Sequence, residues 1–158
     1  MKRILVTGMS GTGKSSVLER LRLLGFRTVD TEEGDWTEWS DAEGGYVWQE
    51  ERIDELLTGG GEGRALYVSG TVSNQGRFYD RFDAVVLPSA PANVLLSRIE
   101  TRTTNPCGKT VAQREVVLRE LAEVEPHLGR TCTHEIDAAQ RLAHVVTRLA
   151  ELGRDRSA

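Results

Sequence analysis

The sequence predicts an α/β protein with three layers, a parallel sheet covered by helices on both faces. Three observations predict it. Short apolar runs alternate with amphipathic stretches along the whole of the 158 residues. The runs are continuously apolar rather than alternating, as in strands buried on both faces. The first run leads through a glycine-rich turn into a helical pattern, which is how a parallel strand–helix unit begins.

The elements follow in order. Residues 3–7, Arg-Ile-Leu-Val-Thr, read as the first strand. From Lys14 onward Val17, Leu18, Leu21 and Leu24 recur at helical spacing, and the pattern stops at Gly25. Residues 26–30 give a second strand. The glycine-containing, acidic stretch 31–45 reads as a loop, and 46–57 as a helix that stops at Thr58-Gly59-Gly60-Gly61. A third strand covers 65–69 and a short helical stretch 74–80. A fourth strand, 84–87, stops at Pro88. Helices are expected over 92–101 and 112–124, the latter broken by Pro126, around a loop containing Asn105-Pro106-Cys107-Gly108. A fifth strand over 132–136 and an amphipathic helix over 138–152 complete the pattern.

Composition narrows the class. The length suits one domain, and no apolar stretch approaches the ~18 residues of a membrane span. Residues 1–30 form a strand–turn–helix pattern rather than a secretory signal, so a cytoplasmic protein is expected. Cys107 and Cys132 lack metal-ligand spacing and read as reduced thiols. His127, His134 and His144 are scattered and form no metal motif. A net charge of −4 offers no broad footprint for nucleic acid. Almost all the cations are arginines, the only lysines being Lys2, Lys14 and Lys109.

Residues 8–15 read Gly8-Met9-Ser10-Gly11-Thr12-Gly13-Lys14-Ser15, the pattern G-x-x-x-x-G-K-S, with Ser16 next in the helix. The glycines let successive backbone N–H groups turn toward one point, and the helix adds its positive dipole end there. Lys14 is placed to reach the β- and γ-phosphates of ATP, and the Ser15 hydroxyl to bind Mg²⁺. In a parallel sheet ligands sit at the carboxyl ends of strands. That rule selects Gly8 to Ser15, Asp30 and its loop, Ser69 to Arg77, Pro88 to Pro91, and Asp137.

With these motifs the chain resembles the small P-loop kinases, which include the adenylate-, shikimate- and gluconate-type enzymes. The resemblance implies a P-loop NTPase fold with five parallel strands in the order 2-3-1-4-5. It implies one domain over 1–153 with a tail at 154–158, an acceptor-binding region near 31–60 and a short mobile lid near 102–112. It also implies ATP and Mg²⁺ as cofactors. Asp30 matches the acid that, in shikimate- and gluconate-type kinases, orients the acceptor hydroxyl or helps hold the metal. The other reading of Asp30 is a turn-forming aspartate. Where many phosphate-loop enzymes end the third strand with a metal-holding Asp, this chain has Ser69. Arg98 and Arg102 resemble the Arg-x-x-x-Arg at the start of the lid in adenylate-type kinases, where the first packs on adenine and the second meets phosphates. Lys109 and Arg114 follow within and behind that lid.

The stretch after Asp30 carries Glu32, Glu33, Asp35, Glu38, Asp41 and Glu43, with Trp36, Trp39 and Trp48, and no base before Arg52. A phosphorylated acceptor would be repelled there, whereas a neutral polyhydroxylated or cationic one would be accommodated. Arg52, Asn74, Arg77 and Arg114 are the remaining candidates for binding the acceptor. The expected activity is transfer of the γ-phosphate of ATP to a hydroxyl of a small molecule, with Lys14, Asp30 and Arg102 catalytic. A nucleoside or nucleoside monophosphate kinase and a regulatory ATPase are the alternatives, and the acidic balance weakens a polynucleotide kinase. The expected partners are ATP and the acceptor, with the protein a monomer or homodimer and not bound to a membrane.

Overall fold

The computed structural model describes residues 2–8, 14–59, 65–91, 93–94, 97, 115, 118–119, 122–123 and 125–154. Its described elements are β1 (Arg3–Val6), α1 (Lys14–Leu23), β2 (Arg27–Asp30), β3 (Thr37–Ser40), β4 (Gly45–Trp48), α2 (Glu50–Thr58), β5 (Leu66–Ser69), a 3-10 helix (Gln75–Arg81), β6 (Ala84–Ser89), α3 (Glu125–Thr131), β7 (His134–Asp137) and α4 (Leu142–Arg154). β2, β5, β1, β6 and β7 form one parallel sheet in that spatial order. Counting these five strands alone, the order is the expected 2-3-1-4-5.

The pleat sorts the sheet residues between two cores. Ile4, Val6, Tyr67 and Val86 face α1 and α4, meeting Val17, Leu21, Val145 and Leu149. Leu5, Leu66, Val68 and Val85 face the other way, toward Ile53, Leu56 and Leu57 of α2 and Phe78 and Phe82 around the 3-10 helix. The i, i+3, i+4 spacing of Ile53, Leu56 and Leu57 gives α2 one buried stripe. Each such side chain contributes roughly 1.5–3 kcal/mol by leaving water.

Three expectations need correction. The segment read as an acidic loop running into a helix at Tyr46 contains an antiparallel hairpin, β3 with β4, and α2 begins only at Glu50. Aromatic and β-branched residues at Thr37, Trp39, Tyr46, Val47 and Trp48 support strands, and the acids that suggested a loop are exposed. β6 runs through Pro88 to Ser89 instead of stopping before it. Val86 O accepts from Thr7 N–H while Val85 O and Ser89 O accept from residues on the β7 side. Residue 88 therefore faces the β1 side, where β1 has already ended, and its missing N–H leaves no gap in the ladder. Pro126 does not end a helix but is the second residue of α3. First-turn N–H groups lack intrahelical partners anyway, so proline is tolerated there.

Candidate active site at the carboxyl edge of the sheet

Parallel pairing brings the strand ends level. Val6 pairs with Ser69 and Ser69 with Asp30, so the three stand in a row across β1, β5 and β2. At the usual strand spacing Asp30 lies about 10 Å from Val6, with the end of β5 between them. The row is stitched by Gly70 N–H to Val6 O at 3.2 Å and Thr31 N–H to Ser69 O at 2.9 Å.

Gly8 follows the end of β1 after one residue, Thr7. Its φ of 143° lies in the region that favours glycine, and a Cβ there would stand 3.2 Å from both Leu87 Cδ1 and the Pro88 carbonyl. Gly8 therefore lies close against the end of β6, and α1 starts at Lys14. Ser16 is exposed in the first turn of α1. Met9, Ser10, Gly11, Thr12 and Gly13, the side chains of Lys14 and Ser15, and Arg98, Arg102, Lys109 and Arg114 lie outside the described residues, as does the expected lid at 102–112.

Asp30 ends β2 half-buried, and its Oδ1 accepts the Glu32 N–H at 3.0 Å, closing a local turn. Ser69 is buried at the end of β5. Among the described residues no group of three or more His, Cys, Asp or Glu could hold a metal ion. A Mg²⁺ that keeps most of its waters and binds the phosphates of a nucleotide suits such a site. Of the two residues expected to orient it, Asp30 is described and the Ser15 side chain is not.

The hairpin is fastened to this edge by buried polar contacts. Asn74 closes on the backbone of Trp48, accepting its N–H at Oδ1 (2.9 Å) and donating Nδ2 to its carbonyl (3.0 Å). The Trp48 indole N–H reaches Thr31 Oγ1 at 2.9 Å, and that hydroxyl donates to Ser69 O at 2.7 Å. Gly70 makes room for them, since a Cβ there would collide with Thr31 Oγ1 and stand 3.2 Å from the Trp48 ring. Asn74 also donates to Glu50 Oε2 at 3.2 Å, the same oxygen that receives Arg77 at 2.9 Å. Arg81 bonds Asp54 at 2.6 Å and Thr58 at 2.9 Å. Of the expected acceptor ligands, Asn74 is thus buried as a clamp, Arg77 is exposed in an ion pair with α2, and Arg52 is exposed on α2 itself.

Trp39 and Tyr46 pair across the hairpin two positions nearer its tip than Thr37 and Trp48, so all four point to one side. Trp48 on that side is buried, whereas Trp39 and Tyr46 are 58% and 63% exposed and meet edge to face at 5.3 Å. The Trp39 indole N–H is held by Asp41 Oδ1 at 2.7 Å. The two rings form an aromatic ledge on the side by which the hairpin docks against Thr31 and Gly70. Glu32, Glu33, Asp35, Glu38, Asp41 and Glu43 are all exposed nearby in sequence.

The residues that sequence reasoning missed are polar: Thr7, Thr31 and Gln75 are buried, Thr71 is half-buried, and Glu50 is exposed. Only the polar run after Ser69 hinted at them. Asp137, at the end of β7, accepts the Ala139 N–H at 2.9 Å, while α4 starts later at Leu142. It closes a turn rather than capping the helix. Cys132 is a free, partly buried thiol, and Cys107 lies outside the described residues. Among the described residues no helix is long and apolar enough to cross a membrane.

A parallel 2-3-1-4-5 sheet, with G-x-x-x-x-G-K-S leaving its first strand for a helix, defines the α/β fold of the P-loop kinase superfamily. The chain belongs to the AAA domain family, whose model matches residues 4–125. Solved structures share the fold across nearly the whole length. A shikimate kinase from Bacteroides thetaiotaomicron is 20% identical, with a TM-score of 0.61 over 96% of this chain and 97% of that one. A shikimate kinase from Acinetobacter baumannii, solved in complex with shikimate, is 18% identical, with a TM-score of 0.65 over 96% and 92%. A gluconokinase from Sinorhizobium meliloti 1021 is 24% identical, with a TM-score of 0.61 over 96% and 94%. Among curated proteins no sequence matches.

Proposed function

We propose that this protein is an ATP-dependent phosphotransferase that phosphorylates a hydroxyl of a small, unphosphorylated, cationic or polyhydroxylated molecule. The observation that carries the reading is the level row of Val6, Ser69 and Asp30, which sets a carboxylate one strand away from the strand that opens the phosphate loop. An acceptor lying over the end of β5 has the loop on one side and Asp30 on the other. Its hydroxyl oxygen attacks the γ-phosphorus, the bond to the β–γ bridging oxygen breaks, and the hydroxyl proton passes to the Asp30 carboxylate. Lys14 and the loop amides hold the phosphates, Ser15 and Asp30 orient Mg²⁺, and Arg98 and Arg102 serve the nucleotide. Arg102 and Arg114 bring further positive charge to the transferring group and acceptor. Mg²⁺ when bound neutralises charge on the phosphate oxygens.

The acceptor class follows from charge. Arg77 and Arg81, two of the three described arginines in reach of a role with an acceptor phosphate, are engaged by Glu50 and Asp54. The hairpin beside them presents carboxylates and aromatic faces, which attract a cation and repel a phosphate.

The test is ADP formation from Mg·ATP by the purified protein with amino sugars, amino alcohols, sugar acids, nucleosides and nucleoside monophosphates in turn. A cationic or polyhydroxylated compound should stimulate ADP formation and become phosphorylated, and Lys14→Ala should abolish both. Stimulation by nucleoside monophosphates alone, or slow hydrolysis indifferent to every compound, overturns the proposal.

A further inference from the structure

The hydroxyl of Thr71 lies against the first residue of the phosphate loop. It accepts the Gly8 N–H at 3.1 Å and donates to the Gly8 carbonyl at 2.8 Å. Thr7 Oγ1 stands 3.2 Å from it. Behind them Gln75, only 3% exposed, donates Nε2 to Thr7 Oγ1 at 3.0 Å and to the Tyr79 hydroxyl at 2.9 Å. Its Oε1 accepts the Val72 N–H at 2.9 Å.

The protons assign a direction to this chain. Both Gln75 amide protons are donated, so Thr7 Oγ1 receives one and keeps its own for Thr71 Oγ1. Thr71 then has one proton left, and it goes to the Gly8 carbonyl. Among the described groups each hydroxyl proton is then used once. The Gly8 carbonyl belongs to the planar peptide that leads into the loop, so holding it fixes the plane of that peptide. Glycine at this φ has no side chain of its own to do so.

We propose that Thr71 is a positioning residue for the nucleotide. Oriented by Thr7 and Gln75, it presets the first peptide of the phosphate loop without touching the ligand. A loop whose amides are aligned before binding spends less binding energy on ordering them. The inference rests on the reading of residues 8–15 as the nucleotide site.

The experiment is calorimetric titration of the full chain with Mg²⁺ and a non-hydrolysable ATP analogue, alongside thermal melts. Thr71→Val, which removes the hydroxyl at nearly constant volume, should weaken binding about tenfold, and Thr71→Ser should bind as the parent does. A purely structural role would lower the melting temperature of Thr71→Val and leave the affinity of its folded form unmoved, which overturns the proposal. Should Thr71→Val fail to fold, Gln75→Leu is read instead. It leaves the Thr71 hydroxyl in place without its orienting chain, and should weaken binding about threefold. Native affinity in Gln75→Leu then overturns the proposal. Lys14→Ala separates the two claims. Binding lost in Lys14→Ala but native in Thr71→Val defeats only the positioning role. Native binding in both defeats the nucleotide site itself.

Discussion

Asn74 holds Trp48 by both of its backbone polar groups, at 2.9 and 3.0 Å, across 26 residues of chain. A side-chain amide has the donor and acceptor geometry of a peptide, so here it takes the place of a neighbouring strand. The Trp48 ring, fully buried, meets Phe78 edge to face at 5.9 Å. Asn74→Leu should therefore leave two buried backbone groups without partners and cost about 2–4 kcal/mol. Urea unfolding curves would measure it, and a loss below ~1 kcal/mol would show the clamp to be dispensable.

Besides orienting Mg²⁺, Asp30 has two separable jobs in this reading. Its Oδ1 accepts the Glu32 N–H, and its charge receives the proton from the acceptor hydroxyl. Asn keeps an oxygen for the turn and loses the basic carboxylate. Asp30→Asn should keep its melting temperature and its affinity for nucleotide without Mg²⁺ while kcat falls by about 10²–10⁴. Steady-state rates against an identified acceptor decide this, and unchanged turnover would leave Asp30 as a turn residue only.

The ledge of Trp39 and Tyr46 should bind the cationic part of the acceptor. Replacing either ring by alanine removes an exposed contact worth about 0.5–2 kcal/mol, a rise in acceptor KM of roughly 2- to 30-fold with kcat and stability little changed. Added salt should raise the same KM, since exposed charges are screened. An acceptor KM indifferent to both substitutions would place the cation elsewhere.

Tyr67 predicts an alkaline weakness. Its hydroxyl donates to the Leu149 carbonyl at 2.5 Å, and burial pushes the phenol up to about 12. The neutral form is thus favoured by folding. Its stabilisation is complete below the ordinary phenol pKa near 10.0 and is lost as pH rises from there through about 12. The loss should approach roughly 2–3 kcal/mol. Tyr67→Phe should be slightly less stable at neutral pH and lack this decline. Urea midpoints across that pH range compare the two, and parallel curves would refute the assignment.

The sheet was legible because its strands are buried on both faces, and continuous apolar runs such as Leu66-Tyr67-Val68 leave few other readings. Gly8 and Asp30 were legible because each immediately follows or ends such a run. The hairpin was not. Its inward residues, Trp48 and Val47, sit at one end of a stretch whose exposed carboxylates and glycines mimic a loop. Local composition reports solvent exposure there, and the pairing that makes it a strand is tertiary. Thr71 and Gln75 were equally hidden, because their partners Thr7 and Gly8 are 63 to 68 residues away in the chain. A buried hydroxyl and an exposed one look alike until the fold is known.

Neither β3 nor β4 contributes a rung to the five-stranded sheet. The pair is moored through Trp48, by Asn74, Thr31 and the Phe78 ring. Everything beyond that mooring, from Glu38 to Tyr46, is free to diverge without disturbing the five-stranded frame. Such a part can be transplanted or redesigned as a cassette, so a new taste in substrates need not await a new catalyst.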